Sequence, residues 1–299
     1  RLVFFLTAGM AWCHNTQAQP SFWLTKQSQV DSVQILYPGI EQVGNLIVGY
    51  INYDTTHTDI HDLSPLSSIK KIWGDLYVRN NPRLKNLHGL ENVDTIWTPV
   101  HTHIRDNDSL ENLQGLNDLK LVNNFFVISG NPRLTSLDGL GNLKQADYLT
   151  IENNASLESL TGLSSLQTVT YNLSIHNNAL QDVNLTSLRR VGTLFIFEEP
   201  YLADLDGIST LDSVGNFSIT GGWLTISKNP MLSNLDGLAG IEMAHSADLS
   251  ISENASLKSL SALETIQADT MGSVSIISNP LVPNIHLPKL FSCKSLNVI

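Results

Sequence analysis

Several residues in this chain have the types and spacing that chemistry uses. His101 and His103 flank Thr102, so strand alternation would place both imidazoles on one side, the beginning of a metal site. The phrase ISGNPRLTSLDGL at 128–140 offers Asn131, Arg133 and an Asp138-Gly139 pair, groups that could orient a polar ligand. Glu152 and Glu198 could serve as acid or base if other carboxylates stood beside them. Each reading meets an objection. His57 and His61 could come near the two strand histidines, but no Cys or paired acid completes a metal set. Nearly the same phrase, ISKNPMLSNLDGL, returns at 226–238, and a residue that recurs with its phrase is architecture before it is chemistry. Asp206 and Asp236 could stack and attract calcium, yet as Asp-Gly turn residues they have a simpler role. Phosphate loops, nucleophile elbows and zinc spacings are absent. The sequence therefore names no catalytic residue, no metal site and no cofactor.

What positions these residues is a repeat. An Asn closing each strand-like triplet recurs as Asn81, Asn107, Asn131, Asn154, Asn178, Asn229, Asn254 and Asn279, with Glu199 in the remaining slot; the intervals are 26, 24, 23, 24, 21, 30, 25 and 25 residues. Three residues before the anchor stands Val78 or an Ile (Ile104, Ile128, Ile151 and onward to Ile276). Leu residues follow three and six after it, and Gly or Ala eight after it in most units. A period of about 24 residues with such columns predicts an all-β-dominated solenoid, in which each coil buries its apolar face only against its neighbours.

The columns carry physical meaning. Triplets such as LTI and LSI alternate apolar and polar residues, as a half-buried strand does. After the Asn, apolar residues every third position, interrupted by Pro and Gly, drift off an α-helical face and suit 3₁₀-like turns. An inward Asn carries both donors and an acceptor, so the column predicts a brace for buried turn groups. The Gly column predicts positive φ or close backbone approach.

Bulk properties narrow the partners. The chain has 299 residues, 42% hydrophobic and 15% charged, with net charge -11. That balance gives no electrostatic footprint for nucleic acid and no polybasic run for anionic lipid. Arg1, the apolar stretch Leu2–Trp12 and small residues near Ala18 have the layout of a signal peptide over 1–18, an N-terminally incomplete one, and imply secretion or cell-surface display. No other stretch is long enough for a transmembrane segment. Residues 19–44 read as a linker or cap and 45–299 as the solenoid. KSLNVI at the end reads as the opening strand of a further coil, with Leu296 and Val298 inward, so the chain is expected to continue past 299. With the leader removed, Cys293 stands alone and no disulfide is expected.

Strand-Asn-Leu units such as LTIENNASLESLTGLSSLQTV (149–169) and GDLYVRNNPRLKNLHGLENVDTI (74–96) resemble the leucine-rich-repeat superfamily, and more closely its receptor L-domain group. They are also similar to exported surface proteins of Bacteroidetes-type bacteria. The resemblance covers roughly residues 45–299. It implies a right-handed β-solenoid that is exported and lacks catalytic activity. It brings no fixed binding residues, and the receptor-kinase role does not transfer, because the chain has no cysteine-rich module or kinase region.

Any function must then sit on outward side chains that depart from the repeat. The positions on either side of the Ile column place Tyr77, Arg79, His101, His103 and Arg105 on one face, a mix of amphipathic and cationic groups suited to a contact patch. A second candidate joins Phe195 and Phe197 to Trp223, beside the inserted stretch NFSITGGW at 216–223. These positions predict a non-enzymatic recognition or adhesion scaffold for a protein or glycan. The alternatives are a spacer or adhesin stalk without a ligand and, on the pattern of polysaccharide-active β-helices, an enzyme. Oligomeric state, monomer or otherwise, is left open.

Overall fold

A computed structural model of the chain describes residues 19–50, 57–97, 101–215, 221–268, 270–283 and 293–298. The expected leader over 1–18 and most of the 216–223 stretch lie outside them. Among the described residues there are seventeen strands: β1 (Phe22–Leu24), β2 (Gln42–Val43), β3 (Leu46–Gly49), β4 (Lys71–Ile72), β5 (Leu76–Arg79), β6 (Thr95–Ile96), β7 (His101–Arg105), β8 (Leu121–Ser129) and β9 (Gln145–Glu152), then β10 (Thr168–His176), β11 (Arg190–Phe197), β12 (Ser213–Val214), β13 (Trp223–Ser227), β14 (Glu242–Met243), β15 (Asp248–Ser252), β16 (Met271–Ile277) and β17 (Cys293–Val298). All pairings are parallel, and each coil sets its strand beside the same strand of the next. This is a β-solenoid with coils of about 24 residues, few helices and a core running its whole length.

The Ile column pairs in register as Val78–Ile104–Ile128–Ile151–Ile175–Ile196–Ile226–Ile251–Ile276, and all nine are buried. The every-third-residue apolar runs after the Asn become turns, several tightened into 3₁₀ segments such as Thr161–Leu163, Asp206–Ile208 and Asp236–Leu238. Gly139 meets both demands of its column. Its φ is +112°, and a Cβ there would stand 1.9 Å from Leu113 O. At Gly237 close approach alone decides, because a Cβ would stand 1.8 Å from Leu205 O. Residues 19–44 join the solenoid directly: β1 pairs with β3, β2 pairs with β4, and helix α1 (Gln27–Leu36) buries Val30 and Val33 over the first coils. In β17, Leu296 and Val298 pair with Val274 and Ile276 of the inward columns, yet both are exposed.

The Asn column is a continuous ladder. Asn131 N and Nδ2 donate to Asn154 Oδ1 at 3.1 and 3.2 Å, and Nδ2 also reaches Ile104 O of the preceding coil at 3.1 Å. Asn131 Oδ1 in turn accepts from Asn107 N. The same bonds recur from Asn81 to Asn279, and from Asn81 to Asn254 the side chains are buried. The residue before each rung takes left-handed backbone, as at Asn80, Asp106, Gly130, Asn153 and Lys228. That kink turns the Asn inward. Three of the chain's Asn-x-Ser/Thr sequons (Asn107, Asn154 and Asn254) are rungs, so their amides are occupied by folding.

Glu199 is the one acidic rung. Its carboxylate accepts from Asn178 N, Asn178 Nδ2 and Leu180 N at 3.1, 2.8 and 3.2 Å. It has no amide hydrogens to offer Ile175 O, the carbonyl its neighbours' pattern would serve. Burial pushes its pKa above the usual carboxylate range, against the pull of those donors.

Two outcomes are expected. Asn131→Ala orphans several buried groups, each worth about 1–3 kcal/mol, so chemical denaturation should show a loss of roughly 3 kcal/mol or more. Asp138→Ala changes an exposed side chain and should stay within about 0.5 kcal/mol. For Glu199 the folded pKa is raised, so its contribution is full below the ordinary carboxylate range and is lost as pH rises. Melting temperatures of Glu199→Gln relative to wild type should therefore compare more favourably at pH 8 than at pH 5. Equal differences at both values would refute the assignment.

Candidate functional site

The β-strands place alternate residues outward, and the coil-to-coil register lines these into columns. Two flank the Ile column. One runs Tyr77–His103–Val127–Thr150–Ser174–Phe195–Thr225–Ser250–Ser275, and the other Arg79–Arg105–Ser129–Glu152–His176–Phe197–Ser227–Ser252–Ile277. A third column lies two residues earlier on each strand. It pairs His101–Phe125–Tyr148–Asn172–Thr193, and one coil further on Trp223 pairs with Asp248.

A row of rings starts in the first column and continues along the third. Tyr77 meets His103 edge-on at 5.0 Å between ring centres, and His101 lies 4.9 Å from His103 and 5.6 Å from Phe125. Phe125 stacks on Tyr148 at 4.5 Å, and Tyr148 stacks on Tyr171 at 4.9 Å. Tyr171 reaches the row through an irregularity in β10, where the register shifts between Val169 and Asn172. The spacing of the stack matches the coil spacing of about 4.8 Å, so parallel stacking of strands and of rings are one geometry. Phe125, Tyr171 and Trp223 are exposed. Trp73 and Trp97, on adjacent coils just after β4 and β6, are exposed as well.

Beyond Tyr171 the row is interrupted. The next coil supplies Gly192 and Thr193, and the coil after it supplies Trp223. A concavity of about 470 Å³ opens there, lined by Tyr171, Asn172, Thr193, Phe195, Trp223 and Asp248 among others. Gly192 has no room for a side chain, since a Cβ would meet Thr170 O at 2.5 Å and Tyr171 O at 2.6 Å. Asn172 Oδ1 is buried and has no hydrogen-bond partner among the described residues.

The residues predicted from sequence divide between two places. Tyr77, His101, His103, Arg79 and Arg105 do come together. Arg79 is buried, however, with Nε 3.2 Å from Asp106 Oδ2, while Arg105 Nε lies 3.3 Å from the same oxygen. Burial, then the neighbouring His101 and the two arginines, push His103 down to about 4, so its ring is neutral at ordinary pH. Phe195 and Trp223 border the concavity, and Phe197 stacks flat on His176 at 4.3 Å. Sequence reading missed Phe125, Tyr148, Tyr171, Asn172 and Thr193. Their signal was the aromatic spacing three residues before successive Ile positions, from His101 to Tyr148.

One group has the residue types of a nucleophilic triad. Ser129 Oγ donates to Glu152 Oε1 at 2.9 Å, and His176 Nε2 lies 2.9 Å from Glu152 Oε2. The His176 bond first, and the Ser129 bond with it, hold the Glu152 carboxyl below its usual range despite burial. Here the carboxylate stands in the middle, so the imidazole does not face the hydroxyl, and Ser129 is buried. The arrangement braces three coils. Among the described residues, no group of three or more His, Cys, Asp or Glu side chains could hold a metal ion, and no helix is long and apolar enough to cross a membrane.

The state of His103 can be measured. Its folded pKa lies below the ordinary value near 6.5, so the neutral ring favours the folded chain above that pH, and the contribution is lost as pH falls toward about 4. In an NMR titration the His103 ring should not protonate between pH 8 and 5. A midpoint near 6.5 would show an open, solvated ring instead.

Comparison with protein-family models, with curated proteins and with solved structures returned no match, so a functional reading rests on this face alone.

Proposed function

We propose that the chain is an exported recognition scaffold that binds a protein or glycan partner through the outward face of its sheet, without catalysis and without a cofactor. The observation that carries this reading is the aromatic row from Tyr77 through His103, His101, Phe125 and Tyr148 to Tyr171, continued past one gap by Trp223. A solenoid buries its core without such a row, and exposed rings grouped on one face mark a contact surface. The leader-like start of the chain supports export to the cell surface or medium.

A spacer without a ligand is the second reading. It is favoured by the C-terminal strands, whose flanking columns carry Thr225, Ser250, Ser275, Ser227 and Ser252, a bland hydroxyl surface. The two readings part in one experiment. Wild type, a Tyr77→Ser/His103→Ser/Arg105→Ser variant and a Phe125→Ser/Tyr148→Ser/Tyr171→Ser variant would be applied to arrays of glycans and of cell-surface proteins. Three stacking rings at about 1 kcal/mol each correspond to roughly a hundredfold weaker binding for the second variant. The first variant tests the Tyr77-to-Arg105 end separately. A wild-type chain that binds nothing leaves the spacer, and binding that is unchanged in both variants puts the contact off this face.

A further inference from the structure

The interruption in the aromatic row is a site in its own right. Rings stand one per coil at Phe125, Tyr148 and Tyr171, with centres 4.5 and 4.9 Å apart. The next coil puts Thr193 in that column, and the coil after it puts Trp223 there. Two coil spacings, roughly 9–10 Å, therefore separate the positions of Tyr171 and Trp223. That interval holds one flat ring with a stacking contact on each side. The geometry points to a neutral pyranose ring of a glycan as the missing rung, seated between Tyr171 and Trp223. This inference rests on the recognition reading above and names its ligand.

Three observations select that ligand class. The walls are apolar rings, which suit the C–H faces of a sugar, and the volume of about 470 Å³ lies in the range of small-molecule sites. The edge is polar: the Thr193 hydroxyl, the Asn172 carboxamide, Ser246 and Asp248 border the same concavity. Asn172, Thr193 and Asp248 offer ring hydroxyls polar partners at this rim, which a wholly apolar ligand would leave unused. An anionic ring, whether a uronate or a nucleotide, would face Asp248 and a chain of net charge -11. A neutral sugar avoids that repulsion.

The gap is maintained by backbone. Gly192 admits no side chain against Thr170 O and Tyr171 O, and a Cβ on Gly222 would meet Gly192 O at 2.6 Å. The floor of the slot is thus closed main chain, and the walls are side chains of two strands separated by β11.

The test uses the full chain produced in a bacterial host, because Asn172-Leu-Ser is a glycosylation sequon. The probes are an array of neutral oligosaccharides (β-1,3-glucan, β-1,4-glucan, mannan and chitin fragments) with polygalacturonate as the anionic contrast. Wild type should bind one or more neutral probes and leave polygalacturonate unbound. Thr193→Tyr supplies the absent rung at a buried position, so its fold is checked by its melting temperature, and Trp223→Ala removes a half-exposed wall and should leave the melting temperature unchanged; each should weaken binding at least tenfold. Should Thr193→Tyr fail to fold, Trp223→Ala still decides. Unchanged affinity in the folded variants, equal binding of polygalacturonate, or no binding to any neutral probe overturns the slot. If the slot fails while wild type captures an array protein through the aromatic row, the broader recognition reading stands. If wild type captures nothing, both fall.

Discussion

The structure depends on one constraint: a polar turn must be buried once per coil, and every buried group in it must find a partner. The Asn ladder meets it. Each side chain serves its own turn, the strand carbonyl of the coil before it and the backbone N–H of the previous rung. Coils cannot slide along the stack without breaking these bonds, so the ladder sets the register. The Ile column, and every outward column with it, inherits that register.

The aromatic row is a product of the same constraint. Parallel in-register strands bring equivalent side chains to about the stacking distance of rings, so an aromatic residue at one position in successive coils becomes a continuous stack. A departure from the repeat is then visible in space as a gap. Thr193 in a column of rings opens a slot, just as Glu199 in a column of amides introduces a buried carboxylate. Both departures fall in the coil of β11, bounded by the shortest and longest intervals between rungs, 21 and 30 residues.

The fold was largely legible in the sequence because its determinants are periodic. Asn, Ile, Leu and Gly recur at fixed offsets, and each offset has one physical use. The 3₁₀ turns after Asn154 and Asn229, the close approach at Gly237 and the register of Leu296 and Val298 with Val274 and Ile276 all follow from spacing, although those two side chains are exposed. The candidate site was only partly legible. Reading outward from the Ile–Asn triplet covers the positions next to Ile, and so finds Tyr77, His103 and Phe195. β8 and β10 are nine residues long, and the earlier part of each strand carries Phe125 and Asn172. Tyr171 could not have been placed in the row by alternation, because the register shift in β10 moves it there. Nor does spacing reveal that Arg79 is drawn under the surface by Asp106, a residue that also makes the left-handed kink of its own coil.

The ladder also has a direction. Within the ladder, removing the coil that precedes a rung costs that rung only side-chain bonds, at Oδ1 and one Nδ2 hydrogen, and a side chain can turn toward water. Removing the coil that follows strips partners from main-chain groups, the Asn N–H and the Ile-column carbonyl, which are fixed in place. The two faces of the ladder are therefore unequal, and each rung is completed by its successor in the chain. Emerging from a ribosome, the solenoid would close its bonds in the order in which it is made.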